Sequence, residues 1–345
     1  MKQKIHSGFT LIELLVVIAI IGILSTLAIV ALGSARQKAR DSKRVADLSQ
    51  VSKALELYYN DNNDYPTIIT PGQPLASGSN IYMAAVPSNP TPRNENGCSN
   101  SDYTYGYITG SYSFGTCVGA ATGSLGAGPA WVTPQGLGSN RDGLVGFWKF
   151  DEGGAATTTA DSSGNGNTGT LNGSTIPTWS SGASCKYGSC LTFAASGDYI
   201  SIPHSSSLNI GGYAISFGGW VDFTIVSNNS VLLDKNASYR IWSKSAGLTY
   251  CAVSAAFVTY TSPASGWHHV FCTYNGTAIK AYLDGELLGS VAYSTAIATN
   301  ANVLLIGDRV GINTTFDKSI DNVRIYNVAL SDAQVKGLYL NDSAN

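Results

Sequence analysis

From Phe9 to Leu32 the chain is apolar at nearly every position, broken by a few small or hydroxyl residues and one acid, Glu13. About 20 consecutive apolar residues span a bilayer as a helix, so this run is of membrane length. An acid inside such a run is costly and marks a functional position. After Gly33 the pattern changes: Val45, Leu48, Val51, Leu55 and Tyr58 recur at steps of three and four, with charged residues between them. That spacing predicts one helix over 9–60, apolar all round in its first half (9–33) and amphipathic in its second. A small globular domain should pack on the amphipathic half. The helix should stop at Asn60-Asp61-Asn62-Asn63-Asp64-Tyr65-Pro66, a run of poor helix formers ending in proline.

Beyond the helix the period shortens. Tyr103-Thr104-Tyr105-Gly106-Tyr107 and Ser111-Tyr112-Ser113-Phe114 alternate as two strands of a hairpin, so residues 61–118 read as a small head. Residues 119–142 are rich in glycine, alanine, serine and proline and predict a flexible linker to a second domain over 143–345. There, short apolar runs alternate with Gly/Asn/Asp turns: 199–202, 214–223, 230–234, 239–242, 248–253, 266–274, 277–283, 286–291, 303–306 and 319–326. Asn275-Gly276 and Asp284-Gly285 are two-residue hairpin turns. Many short strands with such turns predict an all-β sandwich.

Charge narrows the function classes. Only 12% of residues are charged and the net charge is −2. Residues 143–345 carry 10 basic and 13 acidic side chains, and residues 9–142 carry 8 and 9. Neither segment has the basic excess of a duplex-DNA binder, so no specific nucleic-acid partner is expected. All six cysteines follow the apolar run, and their positions suggest three local pairs: Cys98–Cys117, Cys185–Cys190 and Cys251–Cys272. Disulfides in an exported chain suit them better than zinc, because the two-residue ligand spacing is missing and only four histidines are present.

The basic leader of residues 1–8 (Lys2, Lys4), then Gly8, Phe9 and Glu13, resembles the prepilin signal of type IV pilins and pseudopilins. The resemblance implies that a prepilin peptidase cuts between Gly8 and Phe9 and methylates the new Phe9 amine. It also implies that Glu13 pairs with the Phe9 amine of a neighbouring pilin subunit. The precursor would then cross the cytoplasmic membrane once, N-terminus inside, before joining an extracellular filament or the cell surface. Arg36, Lys38, Arg40, Lys43 and Arg44 follow the run. The positive-inside rule alone would therefore not give that orientation; the resemblance does. The segment Leu57-Tyr58-Tyr59-Asn60-Asp61-Asn62-Asn63-Asp64-Tyr65-Pro66-Thr67 resembles the end of the first helix in the pseudopilin-like group. Some of that group hold calcium near their C-terminal strands. Here the matching loop offers Asn94, Glu95, Asn96, Asn100 and Asp102, and a polar loop without metal is the favoured reading.

Trp148…Phe150-Asp151-Glu152-Gly153, Asp161-Ser162-Ser163-Gly164-Asn165, Trp267-His268-His269-Val270, Tyr282-Leu283-Asp284-Gly285 and Ile320-Asp321-Asn322-Val323-Arg324-Ile325-Tyr326 resemble laminin-G-like, concanavalin A-like jelly rolls. The expected fold is thus an α+β pilin stem and head followed by an all-β jelly-roll sandwich. Related folds host glycosidases, which need two carboxylates about 5 Å apart. Asp151 and Glu152 are adjacent and would point to opposite faces of a strand, Asp284-Gly285-Glu286 falls on a turn, and His268 and His269 cannot serve one site. No catalytic residue is therefore expected. Asp161, Asn165 and Asp321 are candidate ligands of a structural calcium, weighed equally against a turn cap and a strand end. The leading expectation is a filament subunit that displays a lectin-like domain for adhesion to glycans or a surface protein. The alternatives are a type II secretion pseudopilin, a membrane-anchored lectin that does not polymerise and, last, a glycan hydrolase.

Overall fold

The structure is a computed structural model, and it describes residues 11–94, 98, 102–122, 125, 128–134, 136–139, 142–173, 175–193, 197–223, 230–244, 247–308 and 319–343. Helix α1 runs Leu11–Asn62 without a break, a length of about 78 Å at 1.5 Å per residue. The apolar positions described between Leu11 and Leu32 face outward all round. By length and composition this half could cross a membrane. Leu48, Val51, Ala54 and Leu55 of the second half are buried against the head, the stripe that the three- and four-residue spacing predicts. Asn63 ends the helix in the left-handed region (φ 56°), and its N–H returns to the Tyr59 carbonyl.

Three charged residues of the stem are interior rather than solvated. Asp41 and Arg44 are fully buried and Asp47 nearly so. Arg44 donates to Asp41 Oδ1 (2.6 Å), Asn89 Oδ1 (2.8 Å) and the carbonyls of Pro90 (3.0 Å) and Pro92 (2.9 Å). Asp41 also accepts from the backbone N–H of Gly119 and Ala120, and Asp47 accepts from the Tyr103 hydroxyl. Buried charges persist only when paired and fully hydrogen-bonded, and these fix the head in one register on the stem.

The head is an antiparallel sheet of Thr104–Ile108, Ser111–Val118, Gly128–Thr133 and Gly136–Ser139. The hairpin is as expected, and Cys98–Cys117 staples it. The linker expected at 119–142 is corrected: its 128–139 portion forms the third and fourth strands of this sheet. Trp131 supplies the reason, because its side chain is fully buried between head and sandwich. The glycines around it supply turns and close approaches, not slack.

The second domain is a sandwich of two sheets with eight described strands each. The first sheet runs Thr178–Ser181, Ser189–Thr192, Ser319–Tyr326, Ile215–Asp222, Trp267–Tyr274, Ala278–Leu283, Glu286–Ala292, and Leu144–Trp148 also pairs with Ser319–Tyr326. The second runs Ala256–Thr261, Leu248–Val253, Tyr239–Lys244, Val231–Lys235, Leu304–Ile306, Tyr199–Ile202, Gly169–Asn172, Thr158–Thr159. Between them lies one core that includes Trp148, Phe193, Phe217, Leu233, Ile241, Ile279 and Ile325. Cys251–Cys272 crosses this core from one sheet to the other, and Cys185–Cys190 closes a short loop. Asp284 and Gly285 both take positive φ, as the two-residue turn requires.

A final element was not expected. Helix α2, Asp332–Ser343, lies between the head sheet and the outer face of the first sandwich sheet. Its Val335 and Leu338 join Trp131 of the head and Phe147, Phe271, Tyr282 and Tyr326 of the sandwich in one buried cluster. Asp332 accepts from Lys280 Nζ and the Tyr282 hydroxyl (2.7 Å each). At the other end Asp342 accepts from both terminal nitrogens of Arg324 (2.5 and 3.0 Å) and from the Trp220 indole N–H (3.2 Å).

Candidate functional site

Among the described residues two regions stand out as candidate surfaces: the exposed apolar half of α1 and the outer faces of the sandwich. In the stem, Gly8 and Phe9 lie outside the described residues. Glu13 lies on α1 two positions after Leu11, in the first turns of an all-apolar surface. The sandwich has two outer faces, and they differ. That of the first sheet is covered by α2 and the head, and beneath them Trp220, His269, Phe271 and Tyr326 are nearly or fully buried.

The outer face of the second sheet, around Tyr239–Lys244, Leu248–Val253 and Ala256–Thr261, carries a different set. Tyr239 and Ile241 point into the core, so by alternation Arg240, Trp242 and Lys244 point out. Register places Ala252 and then Phe257 beside Arg240, Tyr250 and then Thr259 beside Trp242, and Leu248 and then Thr261 beside Lys244. Trp242 and Tyr250 stack at 4.6 Å with their planes 18° apart. The Arg240 guanidinium lies 4.2 Å from the Trp242 ring centroid and Lys244 Nζ lies 5.3 Å from that of Tyr250. Phe257 is 51% exposed and turned across both neighbours. Trp242 and Tyr250 are half-buried, so Phe257 is the aromatic side chain of this face that is open to solvent.

The expected calcium ligands do not share one network. Asp161 accepts from the backbone N–H of Phe147, Ser163 and Asn167, so both of its oxygens clamp the loop onto the first strand. Asn165 donates to the Leu144 carbonyl and to Ser163 Oγ. Asp321 is fully buried and accepts from Tyr187 N–H through Oδ2, while its Oδ1 has no partner. Burial pushes its carboxyl up to about 8, which leaves it protonated at neutral pH. A carboxylate whose two oxygens already accept three backbone amides has little left to offer a divalent cation. Among the described residues no group of three His, Cys, Asp or Glu is placed to hold a metal ion.

The acids and histidines weighed for catalysis serve the backbone. Asp151 accepts from Ser189 N–H, and Glu152 from Ala160 N–H. Asp284 accepts from His269 N–H and bonds the His268 ring at 2.7 Å. His269 faces the other way, as expected for adjacent strand residues. It is fully buried with both ring nitrogens unpartnered, and burial pulls its pKa down to about 4.

Two features were missed in the sequence. Helix α2 had a visible start in Ser331-Asp332-Ala333-Gln334, a capping box: Gln334 N–H donates to Ser331 Oγ, and Ser331 N–H to Gln334 Oε1. The aromatic patch could have been found from Arg240/Trp242/Lys244 alternating with core residues, had the third strand, Ala256–Thr261, been recognised.

Residues 3–32 match the prokaryotic N-terminal methylation motif, and residues 193–336 match the concanavalin A-like lectin/glucanases superfamily. The chain joins a stem that carries this methylation motif to a concanavalin A-like domain. Its N-terminal part is 45% identical over 67 residues to the type II secretion system core protein G of Aeromonas hydrophila, covering 19% of this chain and 47% of that protein. Against the protein of the same description from Vibrio cholerae it is 37% identical over 93 residues, covering 27% and 58%. The chain thus spans about half the length of these relatives. Among solved structures, it resembles domain 4 of AbnA, an extracellular arabinanase from Geobacillus stearothermophilus in complex with arabinotriose (22% identity, TM-score 0.44, 57% of this chain and 98% of that one). It also resembles the binding domain of Paraclostridial Mosquitocidal Protein 1 (16% identity, TM-score 0.47, 58% and 52%).

Proposed function

We propose that this chain is a pilin-like filament subunit that displays its concanavalin A-like domain for adhesion to glycans or surface proteins. One observation carries the reading: the sandwich is fixed to the stem through one sheet face, while the outer face of the other sheet stays open and carries a partly exposed aromatic patch around Phe257. In this reading a prepilin peptidase cuts before Phe9, and the precursor waits in the cytoplasmic membrane. Glu13 then meets the Phe9 amine of the next subunit, because a lone carboxylate in hydrocarbon must be neutralised. That pairing sets the axial register of the growing filament and carries the sandwich outside the cell.

The relatives favour a second reading, a pseudopilin of a type II secretion system. Isolation of sheared surface filaments separates the two: an adhesive pilin is found in them, and a secretion pseudopilin is not. The Glu13→Ala variant tests assembly itself. It should still reach the membrane and be lost from filaments. Undiminished incorporation of Glu13→Ala would overturn the pilin-type assembly.

A further inference from the structure

We propose that the cleft where the head hairpin, the sandwich and the start of α2 meet binds a neutral sugar at the end of a glycan chain. This rests on the adhesive reading above and names a ligand class and a site for it, apart from the face around Phe257. The cleft has a volume of about 380 Å³, at the small end of the range for ligand sites. Its polar lining comes from three elements: Thr109 and Ser111 of the head, Thr273, Asn275 and Lys280 of the first sandwich sheet, and Asp332 of α2. Neither the head nor the sandwich has this cleft alone. It exists because the junction between them is packed.

Several of these polar groups keep hydrogen-bonding capacity. Asn275 turns its side-chain oxygen onto the N–H of Thr277 and Ala278 and the Thr277 hydroxyl, which leaves its amide nitrogen to donate. Asp332 Oδ1 accepts from Lys280 Nζ and the Tyr282 hydroxyl, so Oδ2 can still accept and Lys280 can still donate. The capping box uses the N–H of Ser331 and Gln334 and leaves those of Asp332 and Ala333 as orphan donors of the helix start. Charge decides the ligand class. Asp332 repels an anion and Lys280 a cation, and the pair as a whole is neutral. It sets an acceptor beside a donor, with its charged atoms 2.7 Å apart, a spacing close to that of neighbouring hydroxyls on a sugar ring. One hydroxyl can donate to Asp332 while the next accepts from Lys280, and hydrogen bonds to charged groups are the stronger kind. Ile108 and Leu330 give the C–H faces of the ring apolar contact.

The test uses the full chain, because head, sandwich and α2 all line the cleft. Purified protein, in micelles of a detergent without a sugar headgroup, is applied to an array of neutral and acidic glycans, and the strongest neutral binder is titrated by calorimetry. Neutral glycans should lead, and their affinity should be the same at low and high salt. Thr109→Trp, at the exposed hairpin tip, should fill the cleft and abolish binding. Ser111→Val removes one hydroxyl and should weaken binding about fivefold. Phe257→Ser, on the other sheet, should bind as the parent does, and all three variants should melt as the parent does. A preference for acidic glycans, full affinity in Thr109→Trp or in Ser111→Val, or loss of binding in Phe257→Ser would each overturn the cleft as the site. Each of those results still shows a glycan bound, so the adhesive reading would stand. Binding to no glycan on the array would overturn this inference and leave adhesion to surface proteins. Absence of the chain from surface filaments would overturn the adhesive reading, whatever the array shows.

Discussion

Asp342→Ala should cost far more than its place in the last turn of α2 suggests. The Asp342 carboxylate is 2% exposed and Arg324 is 3% exposed, so solvent screens neither. The pair makes two hydrogen bonds, and the Trp220 indole N–H adds a third to the same carboxylate. Removing one partner of a buried pair leaves an uncompensated charge and costs about 3–5 kcal/mol. The orphaned indole adds about 1 kcal/mol. Arg324 lies over the Phe147 ring, and His269 beside it is neutral, so neither contact supplies a replacement counter-charge. At about 2–4 °C per kcal/mol for a domain of this size, the sandwich transition should fall by roughly 10–20 °C in scanning calorimetry. Limited proteolysis should then release α2 first. Replacing both charges (Arg324→Met with Asp342→Leu) should recover all but about 2 kcal/mol, since apolar replacement of a buried pair is near neutral. A loss below about 1 kcal/mol in Asp342→Ala, or a double variant as unstable as the single, would refute the view of this pair as the latch between helix and sandwich.

Other outcomes are sharp enough to measure. Gly337→Ala, which stabilises an exposed helix by about 1 kcal/mol, should destabilise this one by about 1–3 kcal/mol. The new methyl would stand 2.5 Å from Ser113 Oγ of the head, and Ser113→Ala should recover most of the loss in a urea titration. His269, held near 4 against an ordinary 6.5, makes the unfolded chain bind more protons below 6.5, so its contribution is lost as pH falls toward 4. Asp321, raised from 3.8 to about 8, does the opposite and loses stability as pH rises from 3.8 to 8. The two slopes oppose each other up to 6.5 and Asp321 acts alone above it, so melting temperature should decline from pH 6.5 to 8, and Asp321→Asn should flatten that decline; a decline that persists in the variant contradicts the assignment. Because backbone amides fill the Asp161 carboxylate, adding calcium or a chelator should leave the melting temperature unchanged. A drop of several degrees with chelator would restore the calcium expectation.

Much of this architecture was legible because it rests on local periodicity. The three- and four-residue spacing from Val45 to Tyr58 names the face of α1 that the head covers, and the alternating runs give strands such as Tyr199–Ile202, Leu248–Val253 and Ser319–Tyr326 to the residue. The three disulfides follow from proximity in the chain. What periodicity could not carry were elements buried on two sides. Helix α2 meets the head with one face and the sandwich with another, so Val335, Leu338 and Leu340 do not fall on a single stripe. The 128–139 strands were hidden for a related reason, since Gly138 and its neighbours allow close approach where larger apolar residues would have announced a strand. Asp41 and Arg44 stand among the charged residues between the apolar positions, and a sequence does not disclose which charges find buried partners.

Those unread elements decide how the protein can work. A flexible linker would let the sandwich swing free of the stem, and pull on it would pass through a single strand of chain. Instead the stem is keyed to the head by Arg44, the head continues through Trp131 into α2, and α2 is held to the sandwich by Asp332 at one end and Asp342 at the other. Tension on the sandwich is therefore shared across packed side chains and buried ion pairs before any covalent connection is stretched. The open outer face of the second sheet is also held at one angle to α1. For the adhesive subunit proposed above, rigidity of this kind lowers the entropy lost on binding, and it makes α2, not the glycine-rich segment, the element whose loss should uncouple the sandwich from the stem.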